Sequence, residues 1–150
     1  ERKEKAKRAG LTQTEVVTLA SIVDEETDNE AEMPKIAGMY INRLHINMPL
    51  QADPTIKFAT KNFTAHRIYQ KWLTVDSPYN TYKYRGLPPG PIRIPSVAAI
   101  DAVLNYVHHD YVYMCAKEDF SGTHNFARTY EEHQVNAEKY AKALNAHGIN

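Results

Sequence analysis

Between Thr74 and Pro95 the chain carries five of its eight prolines, together with Gly86, Gly90 and three of its ten tyrosines. Proline fixes its own φ and has no N–H to give to a helix interior or a strand ladder, so this stretch is expected to be irregular. A loop of this length inside a compact domain is either functional or disordered. Regular structure must therefore come from the segments on its two sides, and 150 residues are enough for one domain with a real core.

Upstream of the loop, Thr12 and Glu15 spell a capping box, and Leu11 and Val16 can close a hydrophobic staple across it. Val16, Leu19, Ala20 and Val23 then fall on one helical face, and the helix is expected to end in the polar cluster Thr27–Asn29. A second helix is expected over Met33–His45. Pro34 is tolerated in its first turn, and Met33, Ile36, Ala37, Tyr40 and Leu44 form its stripe. Asn47, Met48 and Pro49 break that helix, Asp53-Pro54 opens a short one, and Ala65–Leu73 reads as a further helical piece. Residues 1–10 read as a linker or the end of a preceding element, leaving 11–150 as the domain proper.

Downstream, Ser96 is placed to cap a helix running through Val107. The runs Tyr111–Ala116 and Thr123–Ala127 alternate around a Gly-containing turn and read as a β-hairpin. Thr129 and Glu132 form a second capping box, opening a last helix that stops near Gly148. Several helices packed with a small antiparallel sheet, including a hairpin near 111–127, give an α+β class.

Charge and composition remove some function classes. The 18 basic and 18 acidic residues balance to zero, without the basic excess of a nucleic-acid binder. Cys115 is the only cysteine, so no intrachain disulfide can form, and inside an expected strand it reads as a small hydrophobe. The seven histidines show no HExxH and no Cys/His ligand spacing, so neither a metal nor a cofactor is expected. No run approaches the roughly 20 apolar residues of a membrane span. The chain begins with Glu1 rather than Met and is read as a fragment of a longer protein.

The acidic run Asp24-Glu25-Glu26 is the first candidate for chemistry. Its plain reading is a solvated helix end. At about 100° per residue, however, Glu25 lies opposite the apolar stripe and Asp24 at its far edge. Glu26, three residues after Val23 and seven after Leu19, continues the stripe itself. A carboxyl entering apolar surroundings has its neutral form favoured, which is what a general acid needs near neutral pH. Gln51 and Asp53 form a second polar pair. Asp53 before Pro54 reads most simply as a helix cap, and alternatively as a group that orients Glu26 or a ligand. In YNTY, Tyr79 and Tyr82 could lie under pyranose faces while Asn80 bonds sugar hydroxyls. Arg43, seven residues after Ile36, faces inward and could pair with an internal carboxylate.

Together, LASIVDEET (19–27), IAGMYINRL (36–44), MPLQADPT (48–55), YNTY (79–82) and GLPPGPI (86–92) resemble, in order and spacing, the endolytic murein transglycosylases of the YceG-like, or MltG-type, family. THNF and EEH near the end of the chain fit the same pattern. The resemblance implies an enzyme that breaks the β-1,4 bond between N-acetylmuramic acid and N-acetylglucosamine without water, leaving 1,6-anhydro ends. It assigns the single acid/base to Glu26, with Asp24 as the remaining candidate, and the glycan groove to Gln51, Asp53, Tyr79, Asn80, Tyr82, Arg43 and His124. It also implies a membrane anchor and a LysM-like subdomain outside this fragment. The expected setting is the cell envelope, with an inner-membrane anchor and the catalytic domain outside the cytoplasm. Peptidoglycan strands are the expected partner, with cell-wall synthases as further candidates. The alternatives are a hydrolase of the same glycan (a muramidase), using Asp53 or Asp24 to activate water, and a non-catalytic glycan-binding module.

Overall fold

The computed structural model describes residues 1–65 and 68–148. Among them, the chain forms α1 (Arg2–Ala9), α2 (Gln13–Glu26), α3 (Met33–His45), α4 (Asp53–Thr60) and a 3₁₀ turn (Gln70–Thr74). After the irregular stretch come α5 (Val97–Leu104), β1 (Tyr113–Ala116), β2 (His124–Ala127) and α6 (Tyr130–Ala146). The class is α+β. From Val75 to Pro95 there is neither helix nor strand, as the prolines require.

Both capping boxes form. The Glu15 N–H donates to the Thr12 hydroxyl at 3.1 Å, and the Thr12 N–H donates back to the Glu15 carboxylate at 2.9 Å. Thr129 and Glu132 do the same at the start of α6. α2 then buries Val16, Leu19, Ala20, Ile22 and Val23 against α3 and α5, while α1 seats Ala6 and Ala9 beside them. From α3, Ile36, Met39 and Ile41 complete this core, and each such large apolar side chain contributes about 1.5–3 kcal/mol relative to exposure. The strands pair antiparallel with Tyr113 opposite Ala127 and Ala116 opposite His124, and α6 lies across them.

Several boundaries differ from the sequence reading, the strands among them, which start at Tyr113 and His124. Ala52, not Asp53, is the N-cap residue of α4, so Asp53 stands inside the first turn with its carboxylate free for other partners. Of the expected piece Ala65–Leu73, residues 66–67 lie outside the described residues, and its last four residues, Gln70–Leu73, form most of the 3₁₀ turn. α5 stops at Leu104 rather than Val107 because the chain there crosses α3. The Val107 N–H donates to the Pro34 carbonyl at 3.0 Å. Beyond the crossing, Asn42 donates to the carbonyls of His109 and Tyr111, at 2.7 and 2.9 Å, and Arg43 donates to that of Val112 at 2.6 Å. These side chains of α3 hold the strand approach in place and so position the hairpin.

The crossing depends on Gly38, where an added Cβ would lie 2.2 Å from the Val107 carbonyl oxygen and 2.9 Å from His109 Nε2. In an open helix, Gly→Ala gains about 1 kcal/mol. Here the clash is with backbone that is hydrogen-bonded on both sides, so overpacking wins. Gly38→Ala should lose about 2 kcal/mol net, which calorimetry would read as a fall of roughly 4–8 °C in thermal midpoint. An unchanged or raised midpoint would mean that the crossing is looser than this packing.

Candidate active site

Glu26 is the last residue of α2, where the apolar stripe runs out of the core and reaches the wall of a cleft of about 480 Å³. Half-buried there, its carboxyl is pushed up to about 7 by burial first and by the charge of Asp53 second. The neighbouring Tyr40 hydroxyl and the positive charges of Lys57 and Arg43 oppose the rise without cancelling it. Tyr40 is itself held well above its usual range by burial and by Glu26, so it keeps its proton and stays a donor.

The other two carboxylates of the run are committed elsewhere. Asp24 accepts from the Ser96 N–H at 2.7 Å and the Ser96 hydroxyl at 3.3 Å, tying α2 to the cap of α5. Glu25 is exposed and pairs with Arg93 at 3.2 Å. Asp24 is thus an architectural residue, and Glu26 alone of the three enters the cleft.

Of the residues expected in the groove, Gln51, Asp53, Tyr82, Arg43 and His124 line the same cleft as Glu26. Tyr82 donates its hydroxyl to Asp53 Oδ1 at 2.5 Å, and burial and that carboxylate keep the phenol protonated. Among the described residues, Arg43 pairs with no carboxylate. It donates to the carbonyls of Val112, Pro49 and Leu50 at 2.6, 3.0 and 2.9 Å, three backbone dipoles that make its burial tolerable. Gln51 has a positive φ of 49° and gives its N–H to the Thr81 carbonyl.

Asn80 and Tyr79 are placed otherwise. Asn80 is fully buried, donates to the carbonyls of Leu73 and Val75 at 2.9 and 2.8 Å, and accepts from the N–H groups of Tyr82 and Lys83. No capacity remains for a sugar hydroxyl, so its role is to fold the turn that presents Tyr82. Tyr79 packs its ring on Phe58 at 4.8 Å, outside the cleft lining. Thr81 completes the turn, accepting from the Ala52 N–H and sharing a 2.9 Å hydrogen bond with the Thr55 hydroxyl.

The YceG-like family model matches residues 1–139. The chain belongs to this family. It is 38% identical to an endolytic murein transglycosylase of Bacillus subtilis, over 95% of this chain and 39% of that protein. It is 33% identical to one of Streptococcus pneumoniae, over 91% of this chain and 25% of that protein. The crystal structure of a YceG-like protein from Listeria monocytogenes superposes with a TM-score of 0.80 at 34% identity, covering 89% of this chain and 43% of that one. This chain therefore spans between a quarter and two-fifths of the curated relatives' length.

In this YceG-like domain the cleft has a further wall that the sequence reading missed. His133, Ala137 and Tyr140 of α6 line it at i, i+4 and i+7, one face of the helix. That spacing is visible in the sequence, where Ala137, Tyr140 and Leu144 recur at i, i+3 and i+7, but nothing local says that this face meets the cleft. His133 stacks on Tyr113 at 5.1 Å, and its buried Nδ1 has no partner among the described residues. Burial, then the Arg43 charge, lowers its basicity and keeps the ring neutral. Cys115 also lines the cleft, its thiol pushed up by burial, away from thiolate chemistry. Among the described residues, no three His, Cys, Asp or Glu side chains converge as metal ligands, and no helix is long and apolar enough to cross a membrane.

The position of Glu26 has a measurable effect on stability. A carboxyl raised from 4.5 to about 7 contributes stability that is fully present below about pH 4.5 and lost as pH rises through about 7. Glu26→Gln removes that loss. Urea unfolding should therefore show the variant more stable than the parent by of order 1–3 kcal/mol at pH 8, and nearly equal to it at pH 4. Equal destabilisation at both values would place the carboxylate in a solvated setting.

Proposed function

We propose that this domain cleaves murein glycan strands as a lytic transglycosylase, with Glu26 as the single acid/base. The observation carrying the reading is one carboxyl, raised to about 7, in a cleft that also presents hydroxyl, amide and aromatic groups. The names of the B. subtilis and S. pneumoniae relatives point to the same substrate.

In the proposed step, protonated Glu26 gives its proton to the oxygen linking N-acetylmuramic acid to N-acetylglucosamine. The bond from the anomeric carbon to that oxygen breaks, and the leaving sugar departs as an alcohol. The Glu26 carboxylate then accepts the proton of the muramic acid 6-hydroxyl as that oxygen bonds to the anomeric carbon. Glu26 is thereby restored to its acid form, no water is consumed, and a 1,6-anhydro end remains. Because the substrate supplies the nucleophile, one carboxylate suffices where most glycosidases use two. Asp53 supports the acid by raising its pKa, Tyr82 anchors Asp53, and Tyr40 steadies the carboxylate once formed.

Murein lies outside the cytoplasm. The proposed setting is therefore the cell envelope, with this domain held at the inner membrane by a segment elsewhere in the full protein. Cell-wall synthases are candidate partners there. Asp53 also keeps a hydrolase in view, since it is the second carboxylate of the cleft.

Mass spectrometry of peptidoglycan strands separates these readings. Anhydro ends from the parent chain, with at least a thousandfold loss in Glu26→Gln, are expected for a single acid/base. Water-added ends would make the domain a hydrolase with Asp53 as base, and intact binding without cleavage would make it a glycan-binding module.

The pH profile supplies a separate check. Turnover should fall as pH rises through about 7, where Glu26 loses its proton. Asp53→Asn removes one of the two causes that raise Glu26 and should move that limb to lower pH. An unmoved limb would show that Asp53 does not act on Glu26.

A further inference from the structure

The cleft does not end at Glu26. A second hollow of about 300 Å³ continues from it beneath the hairpin turn and shares Glu26, Ala116, His124 and Tyr140 with the first. Its remaining wall comes from the turn itself, including Lys117 and Phe120. None of these turn residues takes part in the chemistry proposed above.

Phe120 is 42% exposed and holds a positive φ of 57°, an unfavourable backbone conformation for an aromatic residue. Its ring is braced edge-on by Tyr140 at 6.0 Å and by His147 at 5.0 Å. An apolar ring kept in a strained turn, half in water, contributes little to the core. It does offer a flat face at the rim of the hollow.

The polar side of the hollow is equally well fixed. Glu32, the residue before α3, clamps His124 twice: one carboxylate oxygen lies 2.6 Å from His124 Nδ1, and the other accepts the His124 N–H at 2.9 Å. Both side chains are only 11–12% exposed. In the neutral ring, a proton on Nδ1 shared with Glu32 leaves Nε2 as an acceptor. Among the described residues no hydrogen bond holds Nε2, and the His124 side chain lines both hollows.

We infer that this hollow is a second saccharide subsite, on the far side of Glu26 from Asp53 and Tyr82. Phe120 is its stacking platform, and His124, held by Glu32, is its hydrogen-bond acceptor. The inference rests on the glycan-strand reading above and gives the strand a place on both sides of the bond to be cut. A pyranose ring suits the pair: an apolar face lies on Phe120, and a hydroxyl or N-acetyl N–H donates to Nε2. Glu32 acts through His124 and is a positioning residue.

Binding to the full chain in the Glu26→Gln background tests this without turnover, using calorimetric titration with murein oligosaccharides of two and six sugars. Phe120→Ser should weaken the six-sugar ligand roughly tenfold and leave the two-sugar ligand, which cannot span both hollows, nearly unchanged. Phe120→Tyr, which keeps the ring, should bind like the parent. Glu32→Ala should reproduce the length-dependent loss, and Glu32→Gln, which still accepts from Nδ1, should restore most of it. Thermal midpoints identify any variant that has simply unfolded, and Phe120→Tyr against Phe120→Leu then replaces it as the comparison. Equal binding of the six-sugar ligand by Phe120→Ser and the parent overturns the subsite and leaves the proposed function standing. A parent that binds neither length removes the glycan reading, and the subsite with it.

Discussion

A buried guanidinium holds the two sides of the cleft in register. Arg43 projects from α3 at 6% exposure and, in place of a carboxylate, binds three backbone carbonyls from two distant segments. Pro49 and Leu50 lead into α4 and Asp53, and Val112 leads into β1. One cation thereby fixes both the shoulder that carries Asp53 and the strand that carries the opposite wall. Leaving such a charge without its acceptors would cost several kcal/mol, so the carbonyls and the guanidinium require each other. The same positive charge lies near Glu26 and Tyr40, where it limits how far burial can raise the carboxyl.

Around that anchor, polar side chains do the work that strands do in larger sheets. Asn42 fastens the strand approach, Asn80 and Thr81 fold the Pro-rich loop onto α4, and Ser21 accepts from the Ile92 N–H to lay the loop along α2. Each meets a backbone group that an irregular segment could not satisfy alone. The long loop is thus neither a floppy connector nor the groove itself. It is a frame that brings Tyr82 to Asp53.

Local signals survived into the fold where they were self-contained. The capping boxes of Thr12 and Thr129, the Ser96 cap, the apolar stripes of α2 and α3 and the hairpin runs all depend on neighbours within a few residues. Glu26 was legible for the same reason, because helical phase alone carries it off the end of the stripe. What could not be read was commitment at long range. Asn80 looked free to meet a ligand until the carbonyls of Leu73 and Val75 claimed it, and Asp53 looked like a cap until Ala52 took that position. Arg43 looked like half of an ion pair, but carbonyls from both sides of the cleft occupy it. The face of α6 that lines the cleft carries Ala137, Tyr140 and Leu144, but what it packs against is set at long range, and the pairing of Glu32 with His124 likewise joins residues far apart in sequence.

The same remoteness explains how the site can differ from the rest of the fold. A helix end would ordinarily leave a carboxylate in water, charged and cheap. At Glu26 the hairpin, α4 and α6 close around the helix terminus, so tertiary burial adds to the unfavourable C-terminal end of the α2 dipole in disfavouring the charge. Keeping that carboxyl ready to donate a proton means that the folded domain carries an unfavourable charge whenever the proton leaves. The structure accepts this only because Tyr40 and Arg43 stand close enough to moderate the ionised state. The proposed chemistry requires Glu26 to pass through both states in one turnover. An environment that made either of them strongly preferred would stop the cycle halfway. A carboxyl poised near neutrality, opposed by Asp53 and supported by Arg43, is the balance that a single residue serving as acid and then base requires.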